Sequence, residues 1–125
     1  MNLNQVTIFC SKTRETVEFY QKLGLRLIVD SLPRYARLEC PDGDSTLSVH
    51  STDVAWTDSS CVLYFECENL DRRVAELKRL GLEFEEEPND KSWLWREAYL
   101  RDPSNNRICL YHAGENRKNP PWRVK

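Results

Sequence analysis

The apolar-rich run Val6-Thr7-Ile8-Phe9-Cys10 is short and made of β-favouring residues, and reads as a β-strand. Val17, Tyr20 and Leu23 recur near helical spacing, Ser11 stands ahead of them as an N-cap, and Gly24 follows as a stop. Strand patterns return over residues 26–30, 35–40 and 46–50. Between them lie the turns Ser31-Leu32-Pro33 and Pro41-Asp42-Gly43-Asp44, where proline presets φ and glycine supplies the positive φ of a hairpin turn. A second round follows in the same order. Residues 62–67 read as a strand, Asn69 caps a helix with the stripe Leu70, Val74, Leu77 and Leu80, and Gly81 ends it. Residues 82–86 form a strand, 88–91 a loop, 93–100 a strand, Asp102-Pro103-Ser104-Asn105-Asn106 a turn, and 107–112 the last strand.

The two rounds are in step. Advancing by 57 positions brings Val6 to Leu63, Ile8 to Phe65, Cys10 to Cys67, Val17 to Val74, and Leu23-Gly24-Leu25 to Leu80-Gly81-Leu82. Further along, the offset grows to 61 or 62, and Pro41 meets Pro103, Leu47 meets Ile108, and Val49 meets Leu110. Helix stops, turns and strands all coincide, so the chain reads as two βαβββ modules, an α+β protein. Module one covers residues 1–51, a linker 52–60, module two 61–113 and a tail 114–125. Half of a 125-residue chain scarcely buries enough apolar surface by itself, so the modules are expected to share one core in a single domain.

Composition narrows the function. Eighteen basic and twenty acidic side chains give a net charge of −2, which argues against a nucleic-acid surface that neutralises many phosphates. The basic pairs Arg72/Arg73 and Lys78/Arg79 are interleaved with acids and read as a solvated helix face. No apolar run approaches the roughly 18 residues of a membrane span, and the first residues lack a basic, then apolar, leader pattern, which predicts a cytoplasmic protein without membrane partners. The five cysteines form no CxxC pair and no zinc-finger spacing, and are expected to be reduced and mostly buried.

Alternation also sorts side chains by face. One face of each sheet must cover its helix, which leaves the other to line a cleft. In module one the free face carries Gln5, Thr7, Phe9, Tyr35, Arg37, Glu39, Ser48 and His50; in module two Val62, Tyr64, Glu66, Trp95, Glu97, Tyr99, Arg107, Cys109 and Tyr111. Aromatics mixed with charges suit a small-molecule site. The competing reading is a sheet surface covered by a dimer partner, and a cleft at a subunit interface satisfies both. Gln5, Thr7, Phe9, Arg37, Ser48, His50, Tyr64, Glu66, Trp95, Glu97, Tyr99, Cys109 and Tyr111 are the candidate ligand-binding residues. His50 or Glu97 as a base, with Arg37 stabilising the resulting anion, is the candidate catalytic arrangement. Glu66 and Glu97 have Arg37 and Arg107 as possible ion-pair partners. The tail's Pro120-Pro121-Trp122 is expected to dock over the cleft or on a second subunit, and residues 88–92 to form a mobile lid.

The paired βαβββ pattern, the segment Val-Glu-Phe-Tyr-Gln-Lys-Leu-Gly-Leu over 17–25, and Tyr-Leu-Arg-Asp-Pro-Ser-Asn-Asn-Arg-Ile-Cys-Leu over 99–110 resemble the vicinal oxygen chelate superfamily. That superfamily includes glyoxalase I, bleomycin-resistance proteins, fosfomycin-resistance enzymes and extradiol dioxygenases. The resemblance runs from residue 3 to about 112 and is carried best by the Phe-Tyr…Leu-Gly helix ending and the Asp-Pro turn. It implies paired curved mixed sheets around a cleft. It also implies four metal-ligand positions, which here hold Gln5, Ser48, Val62 and Cys109. Valine cannot ligate and serine is a poor ligand, so no metal or other cofactor is expected. Metal-free binding of a small organic ligand, as in the bleomycin-resistance branch, is the resulting functional expectation, with a homodimer as its form. The rings of Tyr64, Trp95, Tyr99 and Tyr111 would stack on a planar or cationic ligand, with carboxylates holding the cation. The alternative is a glyoxalase-, lyase- or isomerase-type enzyme with an altered metal site, either metal-free or off-register on His50, Glu66 and Glu97.

Overall fold

A computed structural model describes residues 1–53 and 61–124. Most of the expected linker, including Trp56, lies outside the described residues. The chain divides into two compact units: one takes the first half together with Asp102–Asn106, the other takes Cys61–Arg101 and the chain from Arg107 onward.

The first unit contains β1 (Gln5–Cys10), α1 (Thr13–Lys22), β2 (Arg26–Ser31), β3 (Tyr35–Glu39) and β4 (Thr46–Ser51). The sheet order is β1-β4-β3-β2, with β1 parallel to β4 and the other pairs antiparallel. The second unit repeats the plan with β5 (Val62–Glu66), α2 (Leu70–Arg79), β6 (Phe84–Asp90), β7 (Arg96–Arg101) and β8 (Arg107–His112), in the order β5-β8-β7-β6. A 3₁₀ turn, η1 (Gly114–Arg117), follows β8. The two βαβββ modules and their mixed sheets are those the repeat predicts. Among the described residues no helix is long and apolar enough to cross a membrane.

Both helices stop at the expected glycines. Gly24 takes φ 106° and Gly81 φ 94°, a region costly for residues with a Cβ. Leu25 N–H then reaches Tyr20 O at 3.0 Å and Gly24 N–H reaches Gln21 O at 3.0 Å, the Schellman pattern that satisfies two terminal carbonyls. Leu82 to Leu77 and Gly81 to Lys78 repeat it in α2. Asn69 caps α2 through Arg72 N–H, whereas α1 is capped at Lys12, not Ser11, and without a side-chain bond.

Val17 and Tyr20 of α1 are buried, as are Ile8, Cys10, Ala36, Leu38, Leu47 and Val49 of its sheet. In the second unit Leu70, Val74 and Leu77 are buried with Ala98, Leu100, Ile108 and Leu110. Two expected core positions are exposed: Val6, near the start of the first strand, and Leu80, the C-cap of α2. Arg72 and Arg73 both pair with Glu76 on α2, the solvated face the charge pattern predicts.

Two strands and the tail differ from expectation. Strand β6 continues through Pro88 to Asp90, so most of the expected lid is strand; proline is tolerated because β6 is an edge strand with an irregular register. Strand β7 starts at Arg96, after Leu94 takes φ 68°. In the tail, η1 has no buried residue, and Trp122, which the sequence expects to dock, is 58% exposed.

Candidate functional site

On the first unit's free face, register places Ser48 between Thr7 and Arg37, and His50 between Phe9 and Tyr35. The buried Ser48 hydroxyl lies 2.7 Å from Tyr35 OH, and Arg37 Nε donates to the same phenol oxygen at 2.9 Å. The Ser48 hydrogen bond draws the Tyr35 phenol below its ordinary value, with Arg37 adding to it against the opposing effect of burial. His50 is exposed, with its ring 5.6 Å from Phe9 and Nδ1 2.9 Å from Ser51 O, so Nδ1 carries the proton that this carbonyl accepts. Gln5 and Thr7 are exposed, and Gln5 Oε1 accepts from Thr46 Oγ1 at 3.0 Å. Arg37, His50, Phe9 and Ser48 thus share one face; Tyr35, which sequence reasoning placed there without a role, is its hydrogen-bonding centre.

The second unit's free face is more aromatic. Trp95 and Tyr111 stack with centroids 4.6 Å apart and planes 15° from parallel. Tyr64 meets both edge-on, at 6.0 and 5.6 Å, and stays 48% exposed. Such offset and edge contacts suit the ring quadrupoles. Tyr111 belongs with Tyr99, Cys109 and Ala113 to a buried cluster, with Val62 and Trp95 packed against it.

Glu97 sits in this wall, 1% exposed. Its Oε1 accepts from Tyr99 OH and its Oε2 from Trp93 Nε1, each at 2.7 Å. Burial, with Glu97 next, pushes the Tyr99 phenol well up; burial likewise raises Tyr111. Glu66 Oε2 accepts from the N–H groups of Ala113 and Gly114 at 2.9 and 3.0 Å, and its Oε1 faces Arg117 at 3.9 Å. Burial raises the Glu66 carboxyl, but those two amides, with His112 and Arg117, outweigh it and hold the group below its ordinary value. Trp95 Nε1 donates to Asn116 O at 3.3 Å, so η1 is fastened to the aromatic wall.

Sequence reasoning gave no role to Trp93. Trp93 had a readable signal, since it shares the parity of Trp95 and Glu97. Arg37 and Arg107 are the possible ion-pair partners of Glu66 and Glu97 in the sequence; both carboxylates take other donors, and Arg107 lies with its Cζ 4.1 Å from the Tyr99 ring centroid.

The residues at the four family ligand positions do not fit a divalent ion. Val62 has no donor atom, the Ser48 hydroxyl is engaged with Tyr35, Gln5 is engaged with Thr46, and Cys109 is a fully buried thiol. Burial pushes that thiol up to about 12, against the help of Tyr99, so the thiolate a metal needs is costly. Among the described residues no three His, Cys, Asp or Glu side chains gather to hold a metal, on or off that register.

All five cysteines are thiols, but full burial is confined to Cys10 and Cys109; Cys40 and Cys67 are half-buried and Cys61 is exposed. Burial also raises Cys10, to about 11. At pH 8 both buried thiols therefore stay protonated. Iodoacetamide is therefore expected to alkylate Cys61 first in the native protein, and Cys10 and Cys109 after denaturation. Peptide mass spectrometry reads this, and rapid native labelling of Cys109 would contradict it.

The family model described as Glyoxalase/Bleomycin resistance protein/Dioxygenase superfamily matches residues 2–110. The uncharacterized protein YraH of Bacillus subtilis (strain 168) is 27% identical over 127 residues, covering 89% of this chain and 98% of that protein. The crystal structure of a glyoxalase/bleomycin resistance protein/dioxygenase from Nocardioides matches at a TM-score of 0.81 and 19% identity, covering 100% of this chain and 90% of that one. The lactoylglutathione lyase from Agrobacterium tumefaciens matches at 0.73 and 13% identity, covering 89% and 92%. At these identities the solved structures speak for the fold.

Proposed function

The chain belongs to the glyoxalase/bleomycin resistance protein/dioxygenase superfamily, and from that membership we propose that it binds a small organic ligand with a planar ring, without a metal ion, on the free face of the second module's sheet. The superfamily fold is one that takes small ligands in a cleft. The observation that carries the reading is the aromatic wall: Trp95 and Tyr111 held flat against each other, with the half-exposed Tyr64 ring across their edge. Trp95 is fixed by its bond to Asn116, so a ring that docks there orders little that is not already ordered. The misfit of Gln5, Ser48, Val62 and Cys109 to a cation supports the metal-free part.

Isothermal titration of EDTA-treated protein with three probes that share one ring system, naphthoate, naphthol and naphthylmethylammonium, tests this. At least one is expected to saturate at one per chain, unaffected by added Zn, Ni, Mn or Fe(II). Trp95→Ala is expected to weaken it roughly tenfold or more. Tyr64→Ala, at a more exposed ring, repeats the test with less demand on folding. No saturable binding by any probe would overturn the reading, and binding that needs an added metal would overturn its metal-free part.

A further inference from the structure

Charge on the aromatic wall points to the ligand's sign. The sequence suggested carboxylates holding a cation, yet both carboxylates here are already engaged. Glu97 accepts from Trp93 and Tyr99, and Glu66 from two backbone amides. Glu86 is held through Oε1 by Lys91 and Asn89. Those two bonds, Lys91 first, hold the Glu86 carboxyl below its ordinary value; the charge of Arg107 reaches it and helps, but Arg107 and Glu86 form no ion pair. Arg107 opens β8 opposite Val62 on one side and Arg101 on the other, and Arg101 is paired with Glu85. Among the described residues no carboxylate forms an ion pair with Arg107. Its Nε is buried without a hydrogen-bond partner. A partly buried guanidinium without an ion pair is stabilised by an anion that meets its terminal nitrogens.

Geometry selects the kind of anion. The guanidinium lies 4.1 Å from the centroid of the Tyr99 ring, so one face of the charge rests on aromatic surface. Tyr99 also belongs to the cluster on which Trp95 packs. The terminal nitrogens form a flat fork that matches the two oxygens of a carboxylate. We infer that Arg107 recognises a carboxylate carried on the planar ring that the Trp95, Tyr111 and Tyr64 wall receives, making the ligand class an aromatic carboxylate. This rests on the ligand-binding reading above and assigns the sign and group that reading leaves open.

The same three probes, titrated at low ionic strength, separate the two claims. Naphthoate is expected to bind at least tenfold tighter than naphthol, with naphthylmethylammonium weakest. Arg107→Gln is expected to bring the naphthoate-to-naphthol ratio near one, and Arg107→Lys, which keeps the charge and loses the fork, to restore part of it. Equal or weaker binding of naphthoate in the unaltered protein overturns the assignment while leaving ligand binding intact, and needs no variant to fold. A tenfold preference that persists in Arg107→Gln overturns the role of Arg107. Failure of all three probes overturns the underlying reading and this one with it.

Discussion

Asp102→Ala is expected to lower the unfolding free energy by about 3 kcal/mol or more, a fall of roughly 10 °C in the midpoint. The carboxylate is 4% exposed and accepts four hydrogen bonds. Oδ1 takes the N–H groups of Ser104 and Asn106 at 2.9 and 2.8 Å; Oδ2 takes Tyr20 OH at 2.7 Å and the Asn106 side-chain amide at 2.9 Å. Alanine would leave these donors buried and unpaired, and a buried donor without an acceptor costs its full desolvation. Ser104 extends the network, with its hydroxyl 2.7 Å from Thr16 Oγ1 and accepting from Lys12 N–H at 3.2 Å. Tyr20→Phe removes one of the four donors to Asp102, so about 1–2 kcal/mol is expected. Urea titration of the two single variants and the double variant measures this. The double variant should cost less than the two losses combined, because both remove the same bond. An Asp102→Ala cost under about 1 kcal/mol would show that the turn is held by something else.

That network joins the two most telling pieces of the family resemblance. Phe19-Tyr20 lies on α1 and Asp102-Pro103 follows β7, 82 positions later for the bonded pair, and one hydrogen bond joins them. Periodicity exposed each piece but not the bond, since a long-range side-chain partner leaves no trace in local spacing. What periodicity did expose was considerable. Face parity was right along β3, where Ala36 and Leu38 are buried between half-exposed Tyr35, Arg37 and Glu39, because one face must cover α1. Gly24 and Gly81 ended their helices for the steric reason that marks them in sequence. Edge positions were less legible. Pro88 looked like a strand breaker, and an edge strand tolerates it; Leu80 looked like core, and its place one residue past the last helical turn exposes it.

Within the candidate site, residue type revealed which side chains share a face but not which were already satisfied. Glu97 and Glu66 are free carboxylates on paper, and in the fold each is an acceptor for groups of its own module. Arg107, one of their two possible partners, pairs with neither, and its Nε has no acceptor. Satisfaction depends on angles and distances of a few tenths of an ångström, and alternation along a strand carries no such information.

Glu97→Ala is expected to cost about 3 kcal/mol, and Glu97→Gln less than about 1 kcal/mol, because the two substitutions differ in what they leave unpaired. Alanine strands Tyr99 OH and Trp93 Nε1 together. Glutamine keeps an oxygen for Trp93, which can only donate, and offers its amide hydrogens to Tyr99, whose hydroxyl accepts as well as donates. Tyr99 can then turn its own hydrogen to the neighbouring Tyr64 or Cys109. The pair of variants also separates a positioning carboxylate from a general base. A base must meet the substrate's proton, and Glu97 is 1% exposed with both oxygens already accepting. Glutamine cannot take a proton in catalysis but can hold Trp93 and Tyr99 where they are. Glu97→Gln should therefore keep naphthoate affinity within about threefold of the unaltered protein and keep the unfolding midpoint nearly unchanged. Loss of affinity by tenfold in a fully folded Glu97→Gln would show that the negative charge itself meets the ligand. Ligand binding and unfolding measured on the same two variants distinguish these outcomes, since Glu97→Ala should lose stability first and binding as a consequence.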